Sequence, residues 1–310
     1  MSSRVFTALG TGSQIPTRER NHNGYFVRWD KQGFLFDPGE GTQRQMTFAG
    51  VSASEITKIF ITHFHGDHCL GLPGVLQRLA LYRITHEVEI FYPASGQKYF
   101  ENLKNSSIYY STVSIKEFPI SEAGTIYSDE KLTIQTQMLD HSAESWGYRF
   151  QETDSVWMLP EKLAELGIIG KNIRELKNSG SIEIEGRKIL LEEASAVKKG
   201  QSFAFIMDTG ICEAAYRLAQ NVDMLICEST YLSSETDDAI KNKHLTAVQT
   251  AEIARKAGVR KLVLTHFSPR YKTIDDFVLE AKEIHSDVVA ARDGKKIEFP
   301  KRDRDELWRK

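Results

Sequence analysis

The sequence predicts helices packed outside β-sheets, in an α/β or layered α+β architecture. Three patterns carry that expectation. Short apolar runs recur, each closed by a Gly- or Asp-rich turn, as strands are. Amphipathic stretches with helical spacing lie between them. The first part of the chain is rich in strands, whereas the last hundred residues alternate strand and helix, so helices must cover the sheets.

The strands expected in order are Val5–Leu9, Tyr25–Trp29, Gly33–Phe36, Ile59–Thr62, Glu87–Tyr92, Leu132–Met138, Trp146–Phe150, Phe203–Met207, Met224–Cys227 and Lys261–Thr265. Helical periodicity marks Leu72–Tyr82, Gln97–Leu103, Ile211–Gln220, Ala247–Ala257 and Ile274–Ile284. Residues 151–200 interrupt two strong strand candidates. Within them, Glu161–Leu166 and Asn172–Lys177 have helical character, and Ser181–Glu185 and Arg187–Leu191 flank a glycine as a hairpin does. The segment is therefore expected to be an inserted flexible arm with little core of its own. Its eight Lys/Arg and nine Asp/Glu leave it without net basic character. Lys171, Arg174 and Lys177 nevertheless recur every three positions and share one helical face. The charged tail Lys301–Lys310 is expected to fray.

The chain has 310 residues, 41% hydrophobic and 26% charged, with a formal net charge of -2. That is ordinary for a globular protein and excludes a polycation, so nucleic acid would have to be held by local patches. Cys69, Cys212 and Cys227 are odd in number and widely spaced. A disulfide framework is not expected, which points to the reducing cytoplasm. The start reads as no signal peptide, and no window approaches a transmembrane length, so no membrane association is expected.

The stretch ITHFHGDHCLGLPG, residues 61–74, concentrates His63, His65, Asp67 and His68 behind an apolar run. Burying such groups unpaired is costly. Metal binding accounts for them if further ligands arrive from elsewhere. Past a strand end, alternation places His63 and His65 on one side, with Asp67 and His68 on the following turn. Two offset pairs suit two cations. His141, Asp208 and His266 also stand just past apolar strands, where open sheets place their sites. Asp208 is the candidate to bridge two ions through its two oxygens. Imidazole with carboxylate favours zinc, and the carboxylates leave Mn²⁺ compatible. Cys69 follows His68 but is not needed as a seventh ligand. His22, His86 and His285 lack this context and are read as structural. Gly10 and Gly12 lack the lysine and third glycine of a phosphate loop and predict a tight turn near the metals.

HxHxDH followed by later His, Asp and His resembles the metal pattern of the metallo-β-lactamase superfamily. LGTGSQIPTRERN (residues 9–21), LFDPGEGTQRQM (35–46), DHSAESWGYRF (140–150), FIMDTG (205–210) and LTHFSPRY (264–271) narrow the resemblance to the ribonuclease Z family of tRNA 3′-processing endonucleases. The resemblance runs from near residue 4 to about residue 298. It implies a single four-layer αββα domain over 1–310, with residues 151–200 as the inserted tRNA-binding arm. It implies two Zn²⁺ per subunit, one on His63, His65 and His141, the other on Asp67, His68 and His266, with Asp208 bridging. Asp67 matches the proton acceptor of the family. His244, in His-Leu-Thr, and Glu228 match its distal pair, although Cys-Glu-Ser-Thr replaces the usual wording around the glutamate. Gly170 is followed by Lys171 where the arm usually has Gly-Pro.

The implied reaction is hydrolysis of precursor tRNA, leaving a tRNA 3′-OH and a trailer 5′-phosphate, in a homodimer. Arg270 and Tyr271, Arg18 and Arg20 are candidate phosphate contacts, with Gly170, Lys171 and Lys177 on the arm; arginine presents a planar fork of donors suited to phosphate. Another metallo-hydrolase of this fold, such as a thioesterase, lactonase or small phosphodiesterase, would keep the ligands but need neither the arm nor Glu228 and His244. A tRNA-binding scaffold with a dead site would have no reason to keep all seven ligands.

Overall fold

The computed structural model describes residues 4–111 and 113–301, so the expected fraying of the tail beyond Lys301 lies outside the described residues. By contact density the described residues divide into two units, one from residues 4–111, 113–128, 134–150 and 202–300, the other from 129–133 and 151–201.

The larger unit begins with β1 (Arg4–Gly10), β2 (Gly24–Trp29), β3 (Gln32–Phe36), β4 (Lys58–Phe60), β5 (Val88–Pro93) and β6 (Ile115–Ile120). Between them lie α1 (Thr42–Ala49), the single turn α2 (Gly66–Cys69), α3 (Leu72–Leu81) and α4 (Gln97–Lys104). β7 (Gly124–Ser128), β8 (Leu132–Met138) and β9 (Trp146–Glu152) follow. After the inserted segment come β14 (Ser202–Ile206), α8 (Glu213–Ala219), β15 (Met224–Glu228), α9 (Thr236–Asn242), α10 (Ala247–Lys256), β16 (Lys261–Thr265), α11 (Asp275–Lys282), β17 (Val288–Ala290) and β18 (Lys296–Glu298).

Two seven-stranded sheets result, ordered β18-β1-β2-β3-β4-β5-β6 and β17-β16-β15-β14-β9-β8-β7. The strand alternation decides the layers. Phe34 and Phe36 of β3 and Phe60 of β4 meet Phe150, Phe203 and Phe205 of the other sheet, with Phe36 and Phe205 ring centroids 4.3 Å apart. The intervening Leu35 and Ile59 point the other way, into a core with Leu72, Val75 and Leu76 of α3. Likewise Ala204 and Ile206 join Leu218 of α8 and Ala251 and Ile253 of α10. Each sheet thus has an aromatic face toward its partner and an aliphatic face under helices, which gives the αββα sandwich.

The last hundred or so residues alternate strand and helix as expected, with β14, β15, β16 and β17 paired in parallel. β4 is shorter than the run Ile59–Thr62 because the Thr62 N–H donates to Asp37 Oδ1 at 2.7 Å instead of to a strand. α1, not expected from TQRQMTFA, is bounded by Gly41 and Gly50, both with positive φ. Gly10 allows a close approach, since a Cβ there would stand 1.8 Å from His22 O.

The smaller unit holds β10 (Ser155–Met158), α5 (Pro160–Glu165), α6 (Lys171–Ser179), β11 (Ser181–Ile184), β12 (Arg187–Leu190), α7 (Leu191–Ala194) and β13 (Ser195–Lys198). β10 pairs antiparallel with β13. The hairpin β11–β12 turns through Glu185 and Gly186, both at positive φ, as a two-residue turn requires. The expectation of little internal core is corrected: Leu163, Ile168, Leu176, Ile182, Ile189 and Ala194 form a buried cluster. Gly170 precedes α6 with φ of 59°, and Lys171, Arg174 and Lys177 are exposed along that helix while Leu176 is buried.

Candidate metal centre

Every candidate ligand sits at the carboxyl end of a strand or on the turn after it. His63 and His65 follow β4, with Asp67 and His68 on α2; His141 follows β8, Asp208 follows β14, and His266 follows β16. Asp37, Asp208 and His266 adopt positive φ (42°, 34° and 61°), which costs a side-chain-bearing residue energy and turns the chain sharply at the sheet edge.

These turns bring the donor atoms into two groups around one carboxylate. On one side His65 Nδ1 is 3.0 Å from His63 Nε2 and 3.3 Å from His141 Nε2. Asp208 Oδ2 faces them, 3.5 Å from His63 Nε2 and 3.6 Å from His141 Nε2. On the other side His68 Nε2 lies 3.3 Å from both Asp67 Oδ2 and Asp208 Oδ1. His266 Nε2 lies 3.6 Å from Asp67 Oδ2 and 3.0 Å from Asp208 Oδ1. Within each group, donor atoms lie within 4.8 Å of one another.

The arrangement fits metal ions. A tetrahedral site with bonds of about 2.0–2.1 Å separates its ligands by about 3.3–3.4 Å, and these separations straddle that value. Asp208 Oδ1 and His266 Nε2 are buried with no hydrogen-bond partner, a costly state that a cation between them relieves. Burial, followed by the charge of His68, holds the His63 imidazole well below its ordinary pKa. Burial opposes protonation of His68 too, but the carboxylates of Asp208, Asp67 and Asp37 outweigh it and raise that pKa well above normal. For Asp67, burial is overcome by the charge of His68, 3.3 Å away, and by the nearby His266 ring, which together hold the carboxyl far below the usual range. The cluster therefore attracts positive charge, a proton or a metal, and loading it with metal releases protons.

The ring nitrogens turned away from the centre are also held. His63 Nδ1 meets Thr62 Oγ1 at 3.0 Å, His68 Nδ1 meets Asp37 Oδ2 at 2.9 Å, His141 Nδ1 meets Lys243 O at 3.1 Å, and His266 Nδ1 meets Thr230 Oγ1 at 2.8 Å. Asp37, fully buried, also accepts from Thr62 Oγ1 at 2.8 Å. Sequence reasoning assigned no role to Asp37, although it stands past an apolar strand like the ligands. Such partners fix ring orientation and basicity. Asp37→Ala is expected to weaken metal affinity roughly 10–100-fold, read by chelator competition. Unchanged affinity would make the His68–Asp37 bond merely structural.

Asp67 Oδ2 accepts from Gln14 N at 2.9 Å and Asn23 Nδ2 at 3.2 Å, so the loop that Gly10 brings close orients this carboxylate. All its contacts among the described residues use Oδ2, which leaves Oδ1 for solvent. His244 Nδ1 is 2.9 Å from Glu228 Oε1. Thr209 N, Thr230 Oγ1 and Leu245 N also donate to this carboxylate, at 2.7, 2.6 and 3.1 Å. Burial lowers the His244 pKa, but Glu228 and then Asp208 outweigh it and push it up to about 9. His244 Nε2 stands 4.0 Å from Asp208 Oδ2, outside the tighter spacing of the two donor groups. A cavity of about 280 Å³ opens over Asp67, Asp208 and His244, between Gln14 and Lys243.

The candidate phosphate contacts separate. Arg20 is buried, and its Nη2 donates to Tyr271 O at 2.7 Å and Ser268 O at 3.3 Å; it braces the loop after His266 rather than facing solvent. Tyr271 Oη donates to Glu235 at 2.7 Å and accepts from Leu232 N. Arg270 stacks over Tyr231 at 4.9 Å and pairs with Asp238 while remaining partly exposed. Arg18 is exposed. Cys69 Sγ donates to His65 O and is no ligand in this geometry.

The chain is similar to known proteins along nearly its whole length. Residues 17–146 match the model of the metallo-β-lactamase superfamily, and residues 194–267 match a β-lactamase superfamily domain. Ribonuclease Z of Nocardia farcinica is 51% identical over 97% of this chain and 100% of its own length. Ribonuclease Z of Streptomyces coelicolor is 47% identical over 97% and 100%. The crystal structure of the short form of human tRNase Z superposes with a TM-score of 0.70 at 24% identity, covering 96% of this chain and 99% of that one, a likeness of fold.

Proposed function

The chain belongs to the ribonuclease Z family of the metallo-β-lactamase superfamily, endoribonucleases that hydrolyse phosphodiesters, and from that premise we propose that it removes 3′ trailers from precursor tRNA. What supports the reading most is the pair of donor groups joined through Asp208, with His244, held by the buried Glu228, lining the same cavity.

His63, His65, His141 and Asp208 Oδ2 would hold one zinc ion; Asp67, His68, His266 and Asp208 Oδ1 would hold the second. Zinc ions held there would supply Lewis acidity toward phosphate oxygens and would make water acidic enough to be a nucleophile near neutral pH. Asp67, steadied by Gln14 and Asn23, orients the attacking water through Oδ1 and accepts its proton. His244, oriented by Glu228, gives a proton to the departing ribose 3′-oxygen. Breaking the bond between phosphorus and that oxygen leaves a 3′-OH on the tRNA and a 5′-phosphate on the trailer.

Binding is assigned to the inserted segment and to Arg18 and Arg270. Lys171, Arg174 and Lys177 line one face of α6, and no acidic partner engages them among the described residues. Arg20 and Tyr271 support these contacts by holding the loops. We assign a homodimer, for which Phe48, Leu81 and Tyr82 offer exposed apolar surface near the packed pair α1 and α3. Among the described residues no helix is long and apolar enough to cross a membrane, and the three cysteines are free, in keeping with a cytoplasmic enzyme.

A variant lacking residues 155–197 tests the division of labour. It is expected to lose cleavage of a 3′-extended precursor tRNA while still hydrolysing a p-nitrophenyl phosphodiester. Undiminished tRNA cleavage would remove the segment from substrate binding.

A further inference from the structure

Beside the metal cavity lies a second one, of about 260 Å³. The two share His65, and the wall of one continues from Ser142 into Ala143 of the other. Phe64, Pro93, Gly96 and Tyr99 give the second cavity an apolar, aromatic side, with His65, Ser95 and Glu144 as its polar side chains. No lysine or arginine lines it, and the one charged side chain is acidic. It therefore suits a planar neutral group rather than a phosphate.

Its aromatic wall is built from the metal-binding loop itself. Phe64 lies between His63 and His65 in sequence. Its ring rests so closely on the backbone of Gly96 that a Cβ there would be 2.0 Å from Cδ2 and Cε2. Tyr92 meets the ring nearly edge-on at 6.2 Å, and Tyr99 lies beside it at 5.9 Å, tilted by 36°. Tyr99 is 57% exposed, whereas its neighbour Phe100 on α4 is fully buried. A half-covered aromatic ring next to a hydrolytic centre presents a π-face to whatever the substrate brings there.

In RNA every phosphodiester carries a base on either side, one nucleotide away. The geometry points to this cavity as the seat of one nucleobase flanking the scissile phosphate, stacked on Tyr99 against the Phe64 wall. The inference rests on the ribonuclease reading above and adds a substrate contact to it. Stacking on an aromatic side chain is tolerant of base identity, so the seat sets the position of the strand rather than its sequence.

Tyr99→Ala, Tyr99→Phe and precursor tRNAs abasic at either nucleotide flanking the cut test it. Tyr99→Ala is expected to lower kcat/KM on the precursor roughly five- to 150-fold, the range for loss of one stacked base. Hydrolysis of p-nitrophenyl phosphodiester should be unchanged, and Tyr99→Phe should retain cleavage of the precursor. One of the two abasic precursors should be cut as poorly by the parent as the normal one is by Tyr99→Ala, with no further loss when both changes are combined. Equal losses on both substrate types, or normal cleavage of both abasic precursors, overturns the base seat. So does a shift in oligomeric state on Tyr99→Ala with normal cleavage of both abasic precursors, which assigns the patch to a protein neighbour. A parent that cuts no precursor at all overturns the ribonuclease reading instead.

Discussion

Asp208→Asn is expected to lower phosphodiester hydrolysis roughly 10³-fold or more on precursor tRNA and on a small diester alike. That is the upper end of the range for removing one preorganised electrostatic contact, because this carboxylate serves both donor groups. Its Oδ2 faces His63 and His141, and its Oδ1 faces His68 and His266. An amide keeps the size of the side chain, and asparagine tolerates the positive φ of this position, so the fold should survive. Its NH₂ group, however, must turn toward one donor group and oppose a cation there. Metal analysis should find at most one zinc per chain in place of two. Two zinc ions and near-normal turnover in the variant would remove Asp208 from its bridging position.

The second large effect should depend on the leaving group. A ribose 3′-oxygen needs a proton as it departs, whereas p-nitrophenolate is stable without one. His244→Ala is accordingly expected to slow RNA cleavage by about 10²–10⁴-fold, the usual contribution of a placed proton donor. On p-nitrophenyl phosphodiester the loss should be small, and the zinc content should stay at two. Glu228→Gln should give the same pattern to a lesser extent, since its contact with His244 orients the ring. An equal loss on both substrates, with zinc lost, would make His244 a metal ligand alongside Asp208 and His266, a grouping that their spacing also permits.

The clustering of donor side chains was legible because a site at the end of a sheet leaves a simple trace: a polar residue one or two positions past an apolar run. His63, His141, Asp208 and His266 all carry it. Asp37 carries it as well, behind Phe34–Phe36, but one sequence position does not distinguish a ligand from the residue that holds a ligand. Only the 2.9 Å contact with His68 Nδ1 does so. Thr230 leaves no trace, since its role depends on β15 and β16 lying side by side. Arg20 illustrates the opposite problem. An arginine in a polar loop suggests a phosphate contact, yet its guanidinium is occupied by two carbonyls more than 200 positions away.

Element boundaries follow the same logic. α10 and α11 were visible because each buries one face against a sheet. α1 was not, because TQRQMTFA lacks a continuous apolar stripe and is delimited by its flanking glycines. β6 and β7 stand at the outer edges of the two sheets, where few side chains are fully buried and the alternation fades. The core of the inserted segment escaped notice because its six aliphatic residues are spread over some thirty positions of otherwise charged sequence.

The most direct measurement is the chemistry of the ends made from a 3′-extended precursor tRNA by the zinc-loaded protein. The account predicts a single cut after the discriminator base, with a 3′-OH on the tRNA and a 5′-phosphate on the trailer. A 2′,3′-cyclic phosphate on the tRNA, or no cleavage by the zinc-loaded protein, would contradict it.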